Sequence, residues 1–467
     1  MRIMIAGTGS GCGKTMITCA ILSVLKRKNK NVVSFKCGPD YIDPMFHTKV
    51  TQMETYNLDS VLMGENGVRY SLQTHTQICD IAVIEGVMGL YDGIGDKSKA
   101  STNYLSQITE TPVVLIVNAK GKSLSLCAEI EGFLNFEKNN VVAIILNRIT
   151  SAAFPFYKQM IENNIGIRVI GFMPEIPEAQ IESRHLGLLT ANEISNIQNK
   201  ITLLAENAEK SISFETLLEL AANAKKINET NFRFNLNINP NIDFQKHFYS
   251  VNLYAACDDA FCFHYEDNYQ LLKNLGAMLH FFSPLRDHEI PENADGLIFC
   301  GGYPELYATK LEKNTALHEN IRYYYNRGLP IYAECGGFMY LQESLTDIHG
   351  TQYSMSGIIR GHAQMTDRLQ DFGYIKLVAN HDNMLCRRGE TINAHSFHYS
   401  RSSYEGNDFT ATKISNGNSY PCIVATKNIF AGYPHIHFLG NPKFAERLIK
   451  TCIRYRNKIK KKQIVAK

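Results

Sequence analysis

Short apolar segments alternate with longer helix-like segments from Met1 to about Leu189, and this alternation is the strongest constraint on the fold. Short apolar runs without polar alternation are typical of parallel strands that are buried on both faces. A chain that alternates such strands with helices forms a doubly wound α/β domain. The predicted strands are Arg2–Ala6, Val32–Lys36, Ile81–Glu85, Val113–Asn118, Val141–Asn147 and Val169–Phe172.

A second alternation of this kind begins at Ser250 and ends near Tyr455. Its predicted strands are Val251–Ala255, Gly296–Phe299, Ile331–Ala333, Gly373–Val378 and Pro421–Lys427, with helices at Asp267–Leu275 and Leu317–Arg327. Polar helical sequence from Ala191 and the Asn-rich stretch Asn228–Asn241 separate the two regions, which is typical of a linker. We therefore predict α/β domains at residues 1–190 and 246–455, a helical and Asn-rich linker at 191–245, and a basic tail at 456–467.

The composition is that of a soluble globular protein, with 45% hydrophobic and 20% charged residues. The net charge of +3 does not favour nucleic acid, and the one basic run, Arg454 to Lys462, is predicted to be a solvated helix end. No apolar stretch reaches the ~18 residues of a membrane span, and no signal peptide is expected. The 12 cysteines show no disulfide or zinc spacing, so we expect a reducing cytoplasm and core packing for Cys257, Cys262 and His264.

The segment Gly7–Thr15 follows the first predicted strand and precedes a predicted helix, Met16–Lys28. Gly9, Gly11 and Gly13 would let backbone N–H groups surround phosphate oxygens at the helix N-terminus. Lys14 would reach the β- and γ-phosphates of ATP, and the Thr15 hydroxyl would hold Mg²⁺. Five residues, rather than four, separate Gly7 from Gly13, so the loop is a variant of the Walker pattern.

A magnesium and ATP site needs further polar groups at the carboxyl ends of neighbouring strands. Glu85 ends a buried strand before a glycine and is the first candidate for the metal. The second strand ends at Lys36, which would supply a cation to the nucleotide. Asp40 and Asp43 follow it, and each aspartate could hold the metal or form a turn. Asn147, at the end of another strand, could contact the adenine or cap its strand.

A second candidate site centres on Cys335, which lies between an apolar strand and a helix-like segment with small residues on both sides. This is the pattern of a nucleophile elbow, and a helix N-terminus favours the thiolate form. A buried structural role fits Cys300 or Cys422 better. The base would be a late histidine, and the sequence alone leaves His395, His398, His435 and His437 open. No carboxylate that would orient His435 is evident, and the turn Gly301–Glu305 is the candidate oxyanion site.

These motifs together resemble the cobyrinic acid a,c-diamide synthase family over nearly the whole chain. The resemblance is carried by Gly7–Thr15, Phe35–Pro44, Glu85–Gly93, Ser183–Leu188, Gly301–Glu305 and Ala333–Leu341. The first domain also resembles dethiobiotin synthase, and the second resembles class I glutamine amidotransferases. The implied fold is therefore α/β with two doubly wound domains, a P-loop NTPase-type parallel sheet followed by a flavodoxin-like amidotransferase domain.

The resemblance implies that Cys335 hydrolyses glutamine with His435 as its base, while His437 stays the alternative. The family lacks the acidic third member of the triad, which agrees with Ile436 and His437 after His435. The first domain would use ATP and Mg²⁺ to phosphorylate a tetrapyrrole carboxylate, and ammonia would displace the phosphate. Asn118 departs from the aspartate expected at its position.

The implied activity is that of a glutamine-hydrolysing carbon–nitrogen ligase of cobalamin biosynthesis, acting on the a and c carboxylates of cobyrinic acid. Nickel-sirohydrochlorin and hydrogenobyrinic acid are alternative substrates, and a partition-type ATPase switch is the alternative from another class. The expected partners are a corrinoid, glutamine and ATP, without nucleic acid or membrane, and a homodimer is left open.

Overall fold

The computed structural model describes residues 1–180, 183–184, 187–188, 196–227 and 251–465 of the 467-residue chain. Side chains are described within these ranges up to residue 459, apart from those of 183–184 and 187–188. The chain divides into unit 1, Met1–Arg233, and unit 2, Phe234–Lys467. The Asn-rich stretch Asn228–Asn241 and part of the motif Ser183–Leu188 lie outside the described residues.

Unit 1 is built on a parallel sheet of seven strands in the order β3-β2-β4-β1-β5-β6-β7. The strands are β1 (Arg2–Gly7), β2 (Val32–Cys37), β3 (Thr55–Leu58), β4 (Ile81–Glu85), β5 (Val113–Asn118), β6 (Val141–Asn147) and β7 (Arg168–Met173). All six predicted strands are confirmed. The missed strand β3 has four residues, TYNL, and lies at the sheet edge, where a continuous apolar run is not required.

Helices connect these strands as a doubly wound sheet requires. Ser101 caps α4 by accepting a hydrogen bond from the Tyr104 amide at 3.1 Å, and Gly166, at φ 78°, ends α6. Short strands β8 (Ser183–Arg184) and β9 (Gly187–Leu188) pair with each other. The helices are α1 (Lys14–Arg27), α2 (Ile42–Thr51), α3 (Gly64–Thr76), α4 (Thr102–Ile108), α5 (Ser125–Asn135), α6 (Phe154–Ile165), α7 (Ile197–Ser211) and α8 (Phe214–Ala222).

Helices α7 and α8 lie within the predicted linker but belong to unit 1, so the linker prediction is wrong for these residues. The junction between them forms an antiparallel bridge, Gly171 to Ile212, on the edge strand β7. The Ser213 amide donates to the Ile170 carbonyl at 2.8 Å, and Leu217 is fully buried. A Cβ at Gly171 would lie 2.5 Å from the Ser211 carbonyl oxygen, so glycine permits this close approach.

Unit 2 contains a sheet in the order β11-β10-β12-β13-β21-β20, parallel except for β20. Its strands are β10 (Val251–Ala256), β11 (Ala277–Phe282), β12 (Gly296–Phe299), β13 (Ile331–Glu334), β20 (Val424–Ala425) and β21 (Ile429–Gly432). The helices of this unit are α9 (Glu266–Asn274), α10 (Ala308–Lys313), α11 (Thr315–Asn326), α12 (Gly336–Leu341) and α13 (Lys443–Val465). The two predicted helices are confirmed as α9 and α11.

A second, mixed sheet in unit 2 was not predicted. It has the order β15-β14-β16-β17-β22, with β18 paired to β16 and β19 paired to β18. The predicted strand Gly373–Val378 is part of β16 here, and Pro421–Lys427 is split between β19 and β20. Long strand β16 begins with alternating buried and exposed residues, a half-buried pattern that a search for apolar runs overlooks. These strands are β14 (Gln342–Thr346), β15 (Gln352–Ser354), β16 (Ile359–Ala379), β17 (Thr391–Ser402), β18 (Phe409–Lys413), β19 (Ser419–Cys422) and β22 (His435–Ile436).

Up to Val465, the last residue that the structure describes, the predicted basic tail is the end of α13, which runs without a break from Lys443. Arg456 lies 3.9 Å from Asp295, and Ile459 packs against the core, so this part of the helix is attached to unit 2. Across the described ranges, none of the helices combines the length and the apolar character needed to cross a membrane.

Candidate active sites in the two units

The loop between β1 and α1 is shaped by glycines that allow close approaches. A Cβ at Gly7 would lie 2.2 Å from the Cys12 sulfur, and one at Gly13 would lie 2.2 Å from the Asn147 amide nitrogen. Gly11 and Gly13 have φ values of 72° and 98°, which favour glycine. In the described chain, the backbone amides of Gly9 to Lys14 make no hydrogen bond to another protein group, so they are available to an anion.

Lys14 is buried at the start of α1 with its ammonium group beside this loop. Its Nζ donates to the carbonyls of Gly9 at 2.8 Å and Met88 at 2.5 Å. Burial lowers the pKa of Lys14, with Lys36 adding to the effect and Cys12 and Glu85 opposing it. A bound phosphate would reverse the burial effect by supplying a negative partner.

A hydrogen-bonded network next to the loop contains Thr15, Lys36 and Glu85. Strands β2 and β4 pair Lys36 directly with Glu85, which explains their contact. Glu85 Oε1 accepts from the Thr15 hydroxyl at 2.8 Å and from Lys36 Nζ at 2.9 Å. Lys36 also donates to the Gly86 carbonyl at 3.0 Å and forms a short ion pair with Asp43. The structure thus brings together four of the predicted site residues.

Helix α2 contributes Asp43 and His47 to this network from one face, because they are four residues apart. His47 is fully buried, and its Nε2 lies 2.6 Å from Glu85 Oε2. Asp40 Oδ1 instead accepts from the backbone amides of Ile42 and Asp43, at 2.8 and 3.0 Å. That is the turn-forming role that the sequence left open for Asp40.

Charges in this cluster shift one another strongly. Burial alone would raise the pKa of Glu85, but Lys36 and His47 outweigh it, and the pKa lies well below its usual range. Burial opposes the charge on Lys36, yet Asp43 and Glu85 raise its pKa well above the ordinary value. The cluster therefore holds a charged Lys36 and a charged Glu85 in a buried position.

Asn147 ties β6 to the phosphate loop. Its Nδ2 donates to the Cys12 carbonyl at 2.7 Å, and its Oδ1 accepts from the Arg148 amide at 2.9 Å. The side chain is 7% exposed. This arrangement favours support of the loop over the predicted contact with adenine.

Cys335 in unit 2 occupies the sharp turn that the nucleophile-elbow pattern predicts. It joins β13 to α12 with φ 45° and ψ −106°, a strained backbone for a non-glycine residue. A Cβ at Gly337 would lie 2.3 Å from the Phe299 carbonyl oxygen, so only glycine fits there. The Cys335 amide donates to the Gly432 carbonyl at 2.8 Å, which fixes the turn to β21.

His435 is the histidine that the structure brings to Cys335, since the cysteine is one of the groups that raise the pKa of His435. Glu334, the residue before the cysteine, has its Oε2 3.3 Å from His435 Nδ1. Both side chains are buried. Burial would lower the pKa of His435, but its hydrogen bonds to Cys335 and Glu334 and their charges raise it to about 10. The arrangement favours the protonated form of the His435 ring beside the Cys335 side chain.

The turn after β12 faces the same cysteine, as predicted. A Cβ at Gly301 would lie 2.6 Å from His435 Cε1, and one at Gly336 would lie 3.1 Å from the Gly302 amide nitrogen. Gly302 has a φ of 152° and makes no hydrogen bond through its amide within the described chain. Its N–H is therefore a candidate donor to an oxyanion formed at Cys335.

The other candidate histidines have different surroundings. His437 is fully buried, packs against the Tyr265 ring at a centroid distance of 4.9 Å and lies 4.0 Å from Asp267. Burial lowers its pKa to about 4. His398 stacks on Tyr433 at a centroid distance of 3.8 Å, and His395 pairs with His435 across β17 and β22. Within the described residues, Cys335 is not among the groups that shift the pKa of these three histidines, whereas it does shift that of His435, so the geometry favours His435 as the base.

Two family models match the chain, one on each unit. The CobQ/CobB/MinD/ParA nucleotide-binding domain covers residues 3–188, and the CobB/CobQ-like glutamine amidotransferase domain covers residues 252–443. A cobyrinate a,c-diamide synthase of Clostridium tetani is 39% identical over 96% of this chain and 99% of its own length. The chain belongs to the cobyrinate a,c-diamide synthase family. A synthase of the same name from Fusobacterium nucleatum is 38% identical over 95% of this chain and 99% of its own length.

Membership of the cobyrinate a,c-diamide synthase family confirms the predicted fold, with a P-loop nucleotide-binding unit and an amidotransferase unit in one chain. Glutamine-dependent amide formation with ATP is the chemistry of such a chain. The residue roles stay predictions, since the comparisons identify domains and not individual side chains.

Sequence reasoning missed Glu334 and His47. For His47 a signal existed, because the Asp43 to His47 spacing places both on one helical face. For Glu334 no local signal existed, because its partner His435 comes 101 residues later and reaches it only through the fold.

The magnesium prediction fits the residues present, although no cluster of three or more His, Cys, Asp or Glu side chains suited to a metal occurs in the described ranges. Mg²⁺ bound with a nucleotide needs only one or two protein ligands, since phosphate oxygens and water supply the rest. Thr15 and Glu85 are in contact at 2.8 Å and could provide them.

Proposed function

We propose that this chain uses ATP and glutamine to amidate the a and c side-chain carboxylates of cobyrinic acid in cobalamin biosynthesis. The observation that carries this proposal is the pairing of Cys335 with His435 in a strained turn. A glutaminase site in one unit and a phosphate loop in the other are the two sites that this reaction needs. The relatives named cobyrinate a,c-diamide synthase supply the substrate.

In unit 2, the Cys335 sulfur attacks the side-chain amide carbon of glutamine, and the Gly302 N–H stabilises the resulting oxyanion. His435 donates its proton to the leaving nitrogen, the carbon–nitrogen bond breaks, and ammonia departs. Water then attacks the glutamyl thioester, His435 takes up a proton from that water, and glutamate leaves. His437 does not contact Cys335, so it is not used in these steps.

In unit 1, Gly9, Gly11 and Gly13 shape the loop whose amides bind the phosphates of ATP, and Lys14 contacts the β- and γ-phosphates. An oxygen of the corrinoid carboxylate attacks the γ-phosphorus, ADP leaves, and an acyl phosphate forms. Ammonia then attacks the acyl carbon and displaces phosphate, which leaves the amide.

Mg²⁺ would be held by Thr15 and Glu85, with Asp43 as a further candidate and Asp40 contributing through the turn that places it. When bound, Mg²⁺ would offset the negative charge of the phosphates. Lys36 would hold Glu85 and Asp43 in position rather than contact the nucleotide, because it is fully enclosed by them. Asn147 would stabilise the loop.

We place this activity in the cytoplasm, where ATP, glutamine and reduced cysteines coexist. None of the 12 cysteines forms a disulfide in the structure. The substrates are a corrinoid, glutamine and ATP, and the reaction requires neither nucleic acid nor membrane.

The decisive experiment offers the purified protein cobyrinic acid, hydrogenobyrinic acid or nickel-sirohydrochlorin with ATP, Mg²⁺ and glutamine labelled with ¹⁵N in its amide. We expect ¹⁵N in both the a and c amides of cobyrinic acid, detected by mass spectrometry. If only hydrogenobyrinic acid or only nickel-sirohydrochlorin were labelled, that compound would be the substrate instead of cobyrinic acid. ATP hydrolysis without any use of glutamine would instead support a partition-type switch and contradict the proposal.

A further inference from the structure

Glu334 ends strand β13 and stands directly before Cys335, so the same turn that presents the thiol also fixes this carboxylate. Its Oε1 accepts a hydrogen bond from the Ile436 amide at 2.8 Å and a short one from the Tyr332 hydroxyl. Its Oε2 lies 3.3 Å from His435 Nδ1. The residue is 4% exposed. Two fixed donors on one oxygen therefore aim the other oxygen at the histidine.

This geometry determines how the His435 ring is used. Because Nδ1 faces Glu334, the other ring nitrogen, Nε2, is left for Cys335. The Gly301 turn closes the Cε1 edge of the ring, since a Cβ there would lie 2.6 Å from Cε1 and 3.5 Å from Nε2. A ring held on both sides in this way presents a single nitrogen to the nucleophile.

The neighbouring titratable groups do not supply a competing charge. Those that face His435 are Cys335, Glu334, His395 and His398. Those that face Glu334 are Tyr332, Tyr269, Cys300, His435 and His437. Burial lowers the pKa of His395 to about 3 and that of His398 to about 4, so both are neutral near pH 7. Among these named neighbours, the carboxylate that faces His435 is that of Glu334.

We propose that Glu334 is the positioning residue of the glutaminase site, which orients His435 and stabilises its protonated ring beside Cys335. This inference rests on the proposed glutaminase function of Cys335. The resemblance predicts that no acidic residue follows the histidine. In this proposal the carboxylate comes instead from the position before the nucleophile.

The test is Glu334→Gln, which keeps the size and the acceptor for the Ile436 amide but removes the charge. A glutamine amide donates toward Nδ1 and so favours the tautomer with its proton on Nε2, which cannot accept from the thiol. We expect glutaminase kcat to fall by at least about a hundredfold. Alkylation of Cys335 by iodoacetamide near neutral pH should slow by about tenfold or more, and regain speed in more alkaline solution.

Two further variants separate positioning from a purely structural role. Glu334→Asp keeps the charge. The rate of Cys335 alkylation near neutral pH in this variant should therefore lie between the rates of Glu334→Gln and the wild type. Glu343→Gln is the matched control, because Glu343 and His362 form an exposed pair at 3.7 Å in the same unit. We expect this control to keep the wild-type glutaminase rate and alkylation profile.

An alkylation profile of Glu334→Gln that superimposes on the wild type would overturn the inference. The inference would also be overturned if Glu334→Asp and Glu334→Gln were alkylated equally slowly and lost thermal stability equally. That result would mean that Glu334 acts only through packing. Failure of the proposed function looks different: in that case Cys335→Ser itself would keep glutamine hydrolysis, whatever the Glu334 variants do.

Discussion

The Glu334 carboxylate lies 3.3 Å from His435 Nδ1, although the two residues are 101 positions apart and Glu334 adjoins the nucleophile Cys335. Strands β13 and β21 are paired in parallel, with Glu334 opposite Gly432, and the chain then turns to bring His435 back over the elbow. A carboxylate, an imidazole and a thiol are thus assembled from two short segments of unit 2.

The first prediction compares the two adjacent histidines. His435→Ala should lower glutamine-supported synthesis by at least about a hundredfold, because it removes the acid of thioester formation and the base of thioester hydrolysis. His437→Ala should keep most of this activity and lower thermal stability instead, since His437 is fully buried against Tyr265. The measurements are the glutaminase rates and melting temperatures of both variants. A larger loss of glutaminase activity in His437→Ala than in His435→Ala would identify His437 as the base.

The second prediction concerns the oxyanion donor. In Gly302→Ala the new Cβ would lie 2.2 Å from the Ala260 carbonyl oxygen, so the turn must shift and carry the Gly302 N–H with it. Loss of one such donor costs about 10²- to 10³-fold in kcat. Gly328→Ala is the control, because Gly328 also has a positive φ of 96° but no atom within 4 Å of a Cβ. Equal glutaminase rates in both variants would refute the role of Gly302.

The third prediction concerns the phosphate loop. Lys14→Ala removes the ammonium that we place on the β- and γ-phosphates, so synthesis should fall by orders of magnitude with glutamine and with ammonium alike. Lys158→Ala, on the exposed side of α6, should leave both rates unchanged. Normal ammonium-dependent turnover of Lys14→Ala would exclude this lysine from the reaction.

The fourth prediction concerns Glu85 and Mg²⁺. Glu85→Gln keeps the size but removes the charge beside Thr15 and Lys36, so the Mg²⁺ concentration for half-maximal synthesis should rise. Glutaminase chemistry in unit 2 should remain. A Mg²⁺ titration of synthesis checks this, with Glu175→Gln, at an exposed pair with Lys120, as the control. Superimposable titrations of wild type and Glu85→Gln would contradict the assignment.

Glu85 also gives a stability prediction, because Lys36 and His47 hold its folded pKa below the unfolded value of about 4.3. A group of this kind stabilises the fold above the unfolded pKa and loses that contribution as pH falls through the folded one. Glu85→Gln should therefore lower the melting temperature near neutral pH, and the difference from wild type should shrink in acid. A difference that grows in acid would contradict the sign of the shift.

The phosphate loop and the cysteine elbow could be predicted from the sequence because each is local. In both, a strand, a tight turn and a helix follow one another, and the glycines of the turn mark where the backbone needs positive φ or close contact. Gly13 and Gly337 show this directly, since any side chain there would collide with Asn147 or Phe299.

The features that could not be predicted from the sequence depend on contacts between distant segments of the chain. The sequence allowed Asn147 to contact the adenine. Only the fold shows that its side chain donates a hydrogen bond to the Cys12 carbonyl. The linker prediction failed because the junction of α7 and α8 bridges to the edge strand β7, a tertiary contact without a sequence signature. The same reason hid Glu334, whose partner is brought by β22.

The central claim is that Cys335 serves only to release ammonia from glutamine, and Cys335→Ser tests it most directly. A serine hydroxyl needs far stronger activation than a thiol, so glutamine-supported synthesis should be lost. Synthesis should persist when ammonium salt is supplied at high concentration and alkaline pH, and Cys79→Ser should keep both activities. Full use of glutamine by Cys335→Ser would contradict the account of unit 2.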